Sequence, residues 1–269
     1  MKYNKVCNLE DWCDQALATT MRRVLPYFLK VYPDYPQGKQ HRKHWEYAHV
    51  LNGLDRLGAT HEQAFVLSVA GGHEEPAFDL TNRVRWVFVT DIYGTGGFKD
   101  QESNITMLTN PDAYARCPYN RNRLVVEYMN ALDLRFEENT FDGVLCLSSI
   151  EHFGGIEGVQ KGLAEMRRVL KPGGIAAITT ECIINGASDL HLPGLSLFAP
   201  KTLLDLAHSS DMDLVDEPDL TASRETISTV MRLQRAIQYA NENQDVFPMV
   251  ALELEGRIFT SAALFLRKP

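Results

Sequence analysis

Cysteine is scarce in this 269-residue chain and is not arranged for structural use. Five are present, an odd number, and no C-x-x-C pair occurs, so neither a disulfide framework nor a cysteine zinc site is indicated. Cys146 sits inside an apolar run and reads as a buried thiol. Long apolar stretches are also missing; none reaches the about 20 residues that a membrane-spanning helix needs. Met1-Lys2-Tyr3-Asn4-Lys5 leads into polar residues, not into the apolar segment of a secretory signal. Nor is there an excess of basic residues. The net charge is −8, from 27 Lys and Arg against 35 Asp and Glu, which argues against a general binder of nucleic-acid backbone. A local patch such as His41-Arg42-Lys43-His44 reads as a solvated helix face. These absences lead us to expect a cytoplasmic protein that neither spans a membrane nor binds nucleic acid.

What is present suits a globular α/β fold: 45% apolar residues and a length that fits one domain with additions. Leu9, Trp12, Cys13, Ala16, Leu17, Met21, Val24 and Phe28 make an apolar stripe over 9–30, with Pro26 kinking or dividing the helix. Tyr32 to Gly38 is a break. A second helix over about 41–57 is expected to stop at Gly58. These helices either cover a cleft or only complete the core. From Ala64 short apolar strands alternate with helical stretches, the mark of βαβ units and a parallel sheet. Strands are expected at about 64–70, 85–90, 123–128, 142–148, 175–182 and 212–215, and helices at about 75–82, 157–170 and 199–209. Residues 92–122 form a long connection, a length often tied to function. A helical insertion follows at about 222–241, then two strands, 250–254 and 257–266, that turn at Glu255-Gly256. The expected division is a helical cover over 1–60 and a main domain over 61–269 with an insertion at about 218–250.

Gly71 and Gly72 stand where the first buried strand turns into a helix. Without Cβ atoms, their backbone can approach a ligand closely, and the helix start adds partial positive charge. Asp91 ends the next strand, 19 positions after Gly72. A carboxylate there can accept hydrogen bonds from ribose hydroxyls, a spacing shared with the dinucleotide fingerprint. A helix cap or turn residue is the plainer alternative.

The order Val66-Leu67-Ser68-Val69-Ala70-Gly71-Gly72, Asp91, Asn130-Ala131-Leu132-Asp133-Leu134, Phe141-Asp142-Gly143-Val144-Leu145 and Leu170-Lys171-Pro172-Gly173-Gly174 resembles the class I S-adenosylmethionine-dependent methyltransferases, type 11 branch. The Lys-Pro-Gly-Gly turn into an apolar strand is the most specific element. The resemblance covers about 64–182 and implies a Rossmann-like α/β fold. Its sheet is mostly parallel and seven-stranded, with an antiparallel C-terminal strand and helices on both faces. It implies S-adenosyl-L-methionine as cofactor, with the methionyl part on Gly71 and Gly72, the ribose on Asp91, the adenine by Asn130 and Ala131, and Ser148 facing cofactor and acceptor.

The chain departs from the family pattern in its first motif, where Ser68, still expected to contact the cofactor, replaces an acid and Ala70 and Glu74 replace glycines. Either the site is degraded, or a carboxylate in His73-Glu74-Glu75-Pro76 takes the methionyl ammonium. Glu75 is the one expected in that role, being nearer the helix start. Equally, both acids simply favour a helix N-terminus. For an oxygen acceptor a general base helps, and His152, with Glu151 beside it, follows the fourth strand. His152 can instead cap the strand end. His41, His44 and His49 lack H-E-x-x-H spacing, and no metal site is expected. The expected function is O-methylation of a small molecule or sugar hydroxyl. The alternatives are a non-catalytic binding module and a nicotinamide-dependent oxidoreductase. Tyr35 and Lys39 have the reductase Tyr-x-x-x-Lys spacing, but Pro36 and Gly38 between them speak against a shared helix face.

Overall fold

A computed structural model describes residues 1–242 and 244–269. Five parallel strands form its centre: β1 Phe65–Val69, β2 Trp86–Asp91, β3 Leu124–Tyr128, β4 Phe141–Leu147 and β5 Leu170–Ile183. They are ordered β5-β4-β1-β2-β3. The chain reverses order between β1 and β4, so a crevice opens at the carboxyl ends of these two strands, where α/β sheets bind ligands. β6 Leu252–Leu254 and β7 Arg257–Arg267 form a hairpin. Glu255 and Gly256 both have positive φ there, as a two-residue turn requires. β7 runs antiparallel along β5 from Phe259↔Ile183 to Arg267↔Ile175. With Asp213–Leu214, which pairs with β7, these make the seven expected strands. Lys5–Val6, Met231–Arg232 and β6 widen the sheet to ten.

Residues on the central strands alternate between two apolar layers, as a sheet covered on both faces demands. Val66, Leu145 and Leu147 join a core with α1 Gln15–Val24, α3 Arg42–Arg56 and α4 Glu75–Leu80. Leu67, Val69, Val144 and Cys146 face α5 Ile156–Val169 and α6 Pro200–Ser209. α3 lies close on β7; a Cβ at Gly53 would stand 2.3 Å from the Phe265 ring. That approach carries the first turn of α3 over the ends of β4 and β5. No helix of the described residues is long and apolar enough to cross a membrane.

Several boundaries differ from expectation for local reasons. The stripe over 9–30 splits into a short 3₁₀ turn at Leu9–Cys13, then α1, then α2 Pro26–Val31. Asp14 caps α1 by accepting from the Ala16 and Leu17 amides, and Pro26 sits at the first position of α2, where its missing N–H costs nothing. Among the described residues the insertion holds two short helices, α7 Arg224–Ile227 and α8 Leu233–Asn241. A hairpin at Leu190–Leu192 and Leu195–Leu197 was not expected, although its alternation and Pro193-Gly194 turn are visible in the sequence.

Candidate functional site

The turn after β1 is built from the backbone. Ala70 and Gly72 both have positive φ. A Cβ on Gly71 would fall 2.1 Å from the Ser68 hydroxyl, and one on Gly72 would fall 2.8 Å from the Glu102 carbonyl oxygen. Neither position accepts a larger residue without movement. Asp91 fastens this turn. Its Oδ2 accepts from the Gly72 amide at 2.9 Å, and its Oδ1 accepts from the Ile92 amide at 2.7 Å and the Ser103 hydroxyl at 2.8 Å. Burial pushes the Asp91 carboxyl above its usual range, with those bonds pulling the other way. Tyr93 donates to the Gly72 carbonyl at 2.6 Å. Part of the long connection, Ser103 and Glu102, is therefore folded onto the turn.

A cavity of about 470 Å³ lies over the strand ends. Gly71, Gly72, Asp91, Asn130, Ala131, Ser148 and His152 all line it. Asn130 Oδ1 accepts from the Leu132 amide at 2.9 Å, which holds the wall formed by residues 129–132. Ser148 has positive φ and donates its hydroxyl to Glu46 at 2.8 Å. His152 Nδ1 donates to the Gly194 carbonyl at 2.6 Å, and its ring meets Phe98 edge-on at 4.8 Å. A carbonyl can only accept, so Nδ1 carries the proton and the neutral ring keeps its lone pair on Nε2.

Three of the expected site residues lie outside the cavity wall. Ser68 is buried beneath Gly71. Glu75 is buried in α4 with Oε1 on the Tyr27 hydroxyl at 3.3 Å; Glu74, one residue earlier, lines the cavity instead. The extended backbone at Glu74, just before the helix, turns that side chain inward while Glu75 enters the first turn. Glu151 is buried and accepts from the Thr180 hydroxyl at 2.8 Å.

The wall over β4 and β5 is backed by a buried charged network that the sequence did not reveal. Lys43 bonds to Glu74 at 2.8 Å and to Glu46 at 3.3 Å. Arg42 bonds to Glu181 at 2.7 Å and to Glu46 at 3.4 Å. Glu46 has no exposed surface and also accepts from the hydroxyls of Ser148, Thr179 and Ser261. Burial works to raise Glu46, but Lys43, Arg42 and the hydroxyls outweigh it and hold the carboxyl below its usual range. Burial raises Glu74 to about 7 against the pull of Lys43, and raises Glu151 with help from the Glu181 charge. The basic run at 41–44 is thus no solvated face: the Arg42 and Lys43 side chains are only 16% and 27% exposed and point inward. His44 and His49 are packed in the core, with lowered pKa from burial. Among the described residues no cluster of His, Cys, Asp and Glu is arranged to hold a metal ion.

The fold defined by this sheet, crevice and hairpin is the Rossmann-like class I methyltransferase fold. A family model described as a methyltransferase domain matches residues 101–178, less than a third of the chain. The match takes in Asn130, the Phe141-Asp142 strand and the Lys171-Pro172-Gly173-Gly174 turn, and leaves out the altered Gly turn and Asp91. Among solved structures, a Galdieria sulphuraria protein assigned as a sarcosine dimethylglycine methyltransferase is similar, with 17% identity and a TM-score of 0.57, covering 91% of this chain and 98% of that one. The 4+2 cyclase SpnF aligns with 16% identity and a TM-score of 0.56 over 94% and 96%. Geranyl diphosphate C-methyltransferase from Streptomyces coelicolor A3(2) aligns with 12% identity and a TM-score of 0.54 over 82% and 78%. Identities this low speak for architecture; the range of chemistries on it shows that function resides in the site.

Proposed function

We propose that the protein is an S-adenosyl-L-methionine-dependent methyltransferase acting on a hydroxyl of a small molecule or sugar. The observation that carries this reading is the Glu74 carboxylate, which lines the cavity beside the Gly turn with Oε2 buried and without a hydrogen-bond partner. An orphaned carboxylate oxygen in such a place calls for a cationic donor. An adenosyl amino acid brings one. The residues present fit it: Gly71 and Gly72 line the cavity at a turn packed too tightly against Ser68 and Glu102 for side chains, so backbone faces the ligand, and residues 129–132 form a wall for a flat base. Glu74 would hold the methionyl ammonium, in the role expected of Glu75, and Lys43 would hold the carboxylate. Asp91 would take a ribose hydroxyl. Three of its acceptor positions already serve the protein, leaving room for about one more bond.

When bound, the cofactor supplies the methyl group from its sulfonium. The residues' task is alignment, exclusion of water and removal of one proton. His152 Nε2 would accept the proton that the acceptor hydroxyl gives up on methylation. The Gly194 carbonyl fixes the ring in the tautomer this needs and steadies the imidazolium that forms. A second reading, a binding module without catalysis, draws on the carbonyl of Glu102 pressed against Gly72 and on the extent to which Asp91 is already engaged. Methyl-labelled donor offered with metabolite and glycan fractions separates the two. The enzyme reading expects label in an acceptor, with turnover about 10²–10⁴-fold slower in His152→Ala at nearly unchanged cofactor affinity. Cofactor binding with no labelled product in any fraction supports the binding module.

A further inference from the structure

The connection over 92–122 is long enough to carry a function of its own, and part of it is fastened to the Gly turn. The Ser103 hydroxyl donates to Asp91 Oδ1 at 2.8 Å. The Ser103 backbone is tied twice more: its amide donates to the Phe98 carbonyl at 3.0 Å, and its carbonyl accepts from the Gly94 amide at 2.8 Å. Glu102 is thereby held over the turn. A Cβ on Gly72 would fall 2.8 Å from the Glu102 carbonyl oxygen and 3.4 Å from the Glu102 Cβ. Glu102 lines the cavity and is exposed, and among the described residues no hydrogen bond or ion pair engages its carboxylate. It also stands within electrostatic reach of Asp91: burial raises the Asp91 carboxyl, and the Glu102 charge adds to the rise.

Asp91 alone falls short of a ribose. A carboxylate offers about four acceptor positions. The Ile92 amide and the Ser103 hydroxyl fill both on Oδ1, and the Gly72 amide takes one on Oδ2. One position is left, whereas the sugar of an adenosyl amino acid carries two hydroxyls, each a donor. The second hydroxyl needs another acceptor on the same side of the cavity. The carboxylates in the cavity lining are Glu74, Asp91 and Glu102. Glu74 is bonded to Lys43 at 2.8 Å and is the partner for the ammonium. Asn130 Oδ1 is occupied by the Leu132 amide. The hydroxyls of Ser103 and Thr95 donate to Asp91 and to the Ile92 carbonyl, and each can still accept. They are neutral, however, and a hydrogen bond to an ionised acceptor is roughly twice as strong. Glu102 is charged, unengaged and fixed beside both Gly72 and Asp91.

We propose that Glu102 is a second ribose carboxylate, accepting from one hydroxyl of the cofactor's sugar while Asp91 Oδ2 accepts from the other. This rests on the adenosyl reading of the cavity and deepens it. The sugar diol would then bridge the sheet, through Asp91, to the long connection, through Glu102.

The test is calorimetric titration of the full chain with three probes: S-adenosylhomocysteine, its 2′-deoxy form and its 3′-deoxy form. In the unaltered chain both deoxy forms should bind about tenfold or more weakly than the parent, the loss expected when a hydrogen bond to a charged group is removed. Glu102→Ala should bind the parent about tenfold more weakly and should no longer distinguish it from one of the two deoxy forms. The penalty for the other deoxy form, which reports on Asp91, should remain. Glu102→Gln keeps a neutral acceptor and should fall between the two. Because Glu102 is exposed, the unfolding midpoint of Glu102→Ala should match that of the unaltered chain. Unchanged affinity in Glu102→Ala, or an equal loss for all three probes, would overturn the proposal, the second by assigning Glu102 to the shape of the loop. Absence of a penalty for either deoxy form in the unaltered chain would overturn it as well, leaving the ammonium contact at Glu74 standing. Failure of S-adenosylhomocysteine to bind the unaltered chain would overturn the reading of the cavity itself, and this inference with it.

Discussion

The two halves of the cavity are made by different means. The half over β1 and β2 is shaped by backbone: a turn with two positive-φ residues, amides gathered on Asp91, and an Asx-type bond at Asn130. The half over β4 and β5 is shaped by buried charge, with Arg42, Lys43 and Glu46 of α3 reaching hydroxyls and carboxylates on three strands or strand ends. Backbone cradles suit a ligand whose shape is constant. Side-chain charge is free to vary from one protein on this fold to another. The contrast also explains why the N-terminal helices are integral to the site: without α3 the second half has no cations.

The largest effect should come from the hub of the charged half. Glu46→Ala leaves Lys43 and Arg42 without their shared counter-charge and strips three hydroxyls of an acceptor. Breaking one side of such a buried network costs about 3–5 kcal/mol, to be read from urea unfolding. Loss under about 1 kcal/mol, the range of surface pairs, would mean the network is far wetter than its geometry implies. In the backbone-built half, Asp91→Ala should weaken S-adenosylhomocysteine by about 1.5–3 kcal/mol, a charged acceptor and a turn anchor being lost together. Unchanged affinity would take Asp91 out of the site and leave it as a turn fastener.

The smallest effect is a pH slope at the boundary between the halves. Glu74 has its pKa raised to about 7 by burial, so in the free protein its contribution to stability is fully present below the ordinary carboxylate pKa and is lost as pH rises through about 7. Binding of an ammonium favours the ionised form and runs the other way. Affinity for S-adenosylhomocysteine should therefore rise, by no more than about tenfold per unit, from about pH 6 to about pH 8. In Glu74→Gln that slope should vanish. A slope that persists in the variant assigns the titration elsewhere.

The sequence revealed these halves unequally. The sheet order, the Gly turn and Asp91 follow from local signals: apolar runs of strand length, glycine at a strand-to-helix turn, a carboxylate one strand later. Asn130, Ala131 and Ser148 came through the motif resemblance, His152 through its chemistry and its place after the fourth strand, and all four line the cavity. The charged half is assembled from residues near 42–46, 74, 148–151, 179–181 and 261, and nothing in their spacing announces that they meet. Arg42 and Lys43 looked like solvated charges because a basic run on a helix usually is; the adjacent Glu46, three and four positions on, was the available hint. The choice of Glu75 over Glu74 followed chain proximity, and the inward direction set by the residue before the helix decided otherwise. Ser68, where the resembled family carries an acid, lies under the turn and packs against Gly71.

Calorimetric titration of S-adenosylhomocysteine and of NADH into the full chain tests the cavity most directly. Saturable one-to-one binding of S-adenosylhomocysteine with no heat from NADH is the expected result. Silence toward S-adenosylhomocysteine, or binding of NADH in its place, would contradict it.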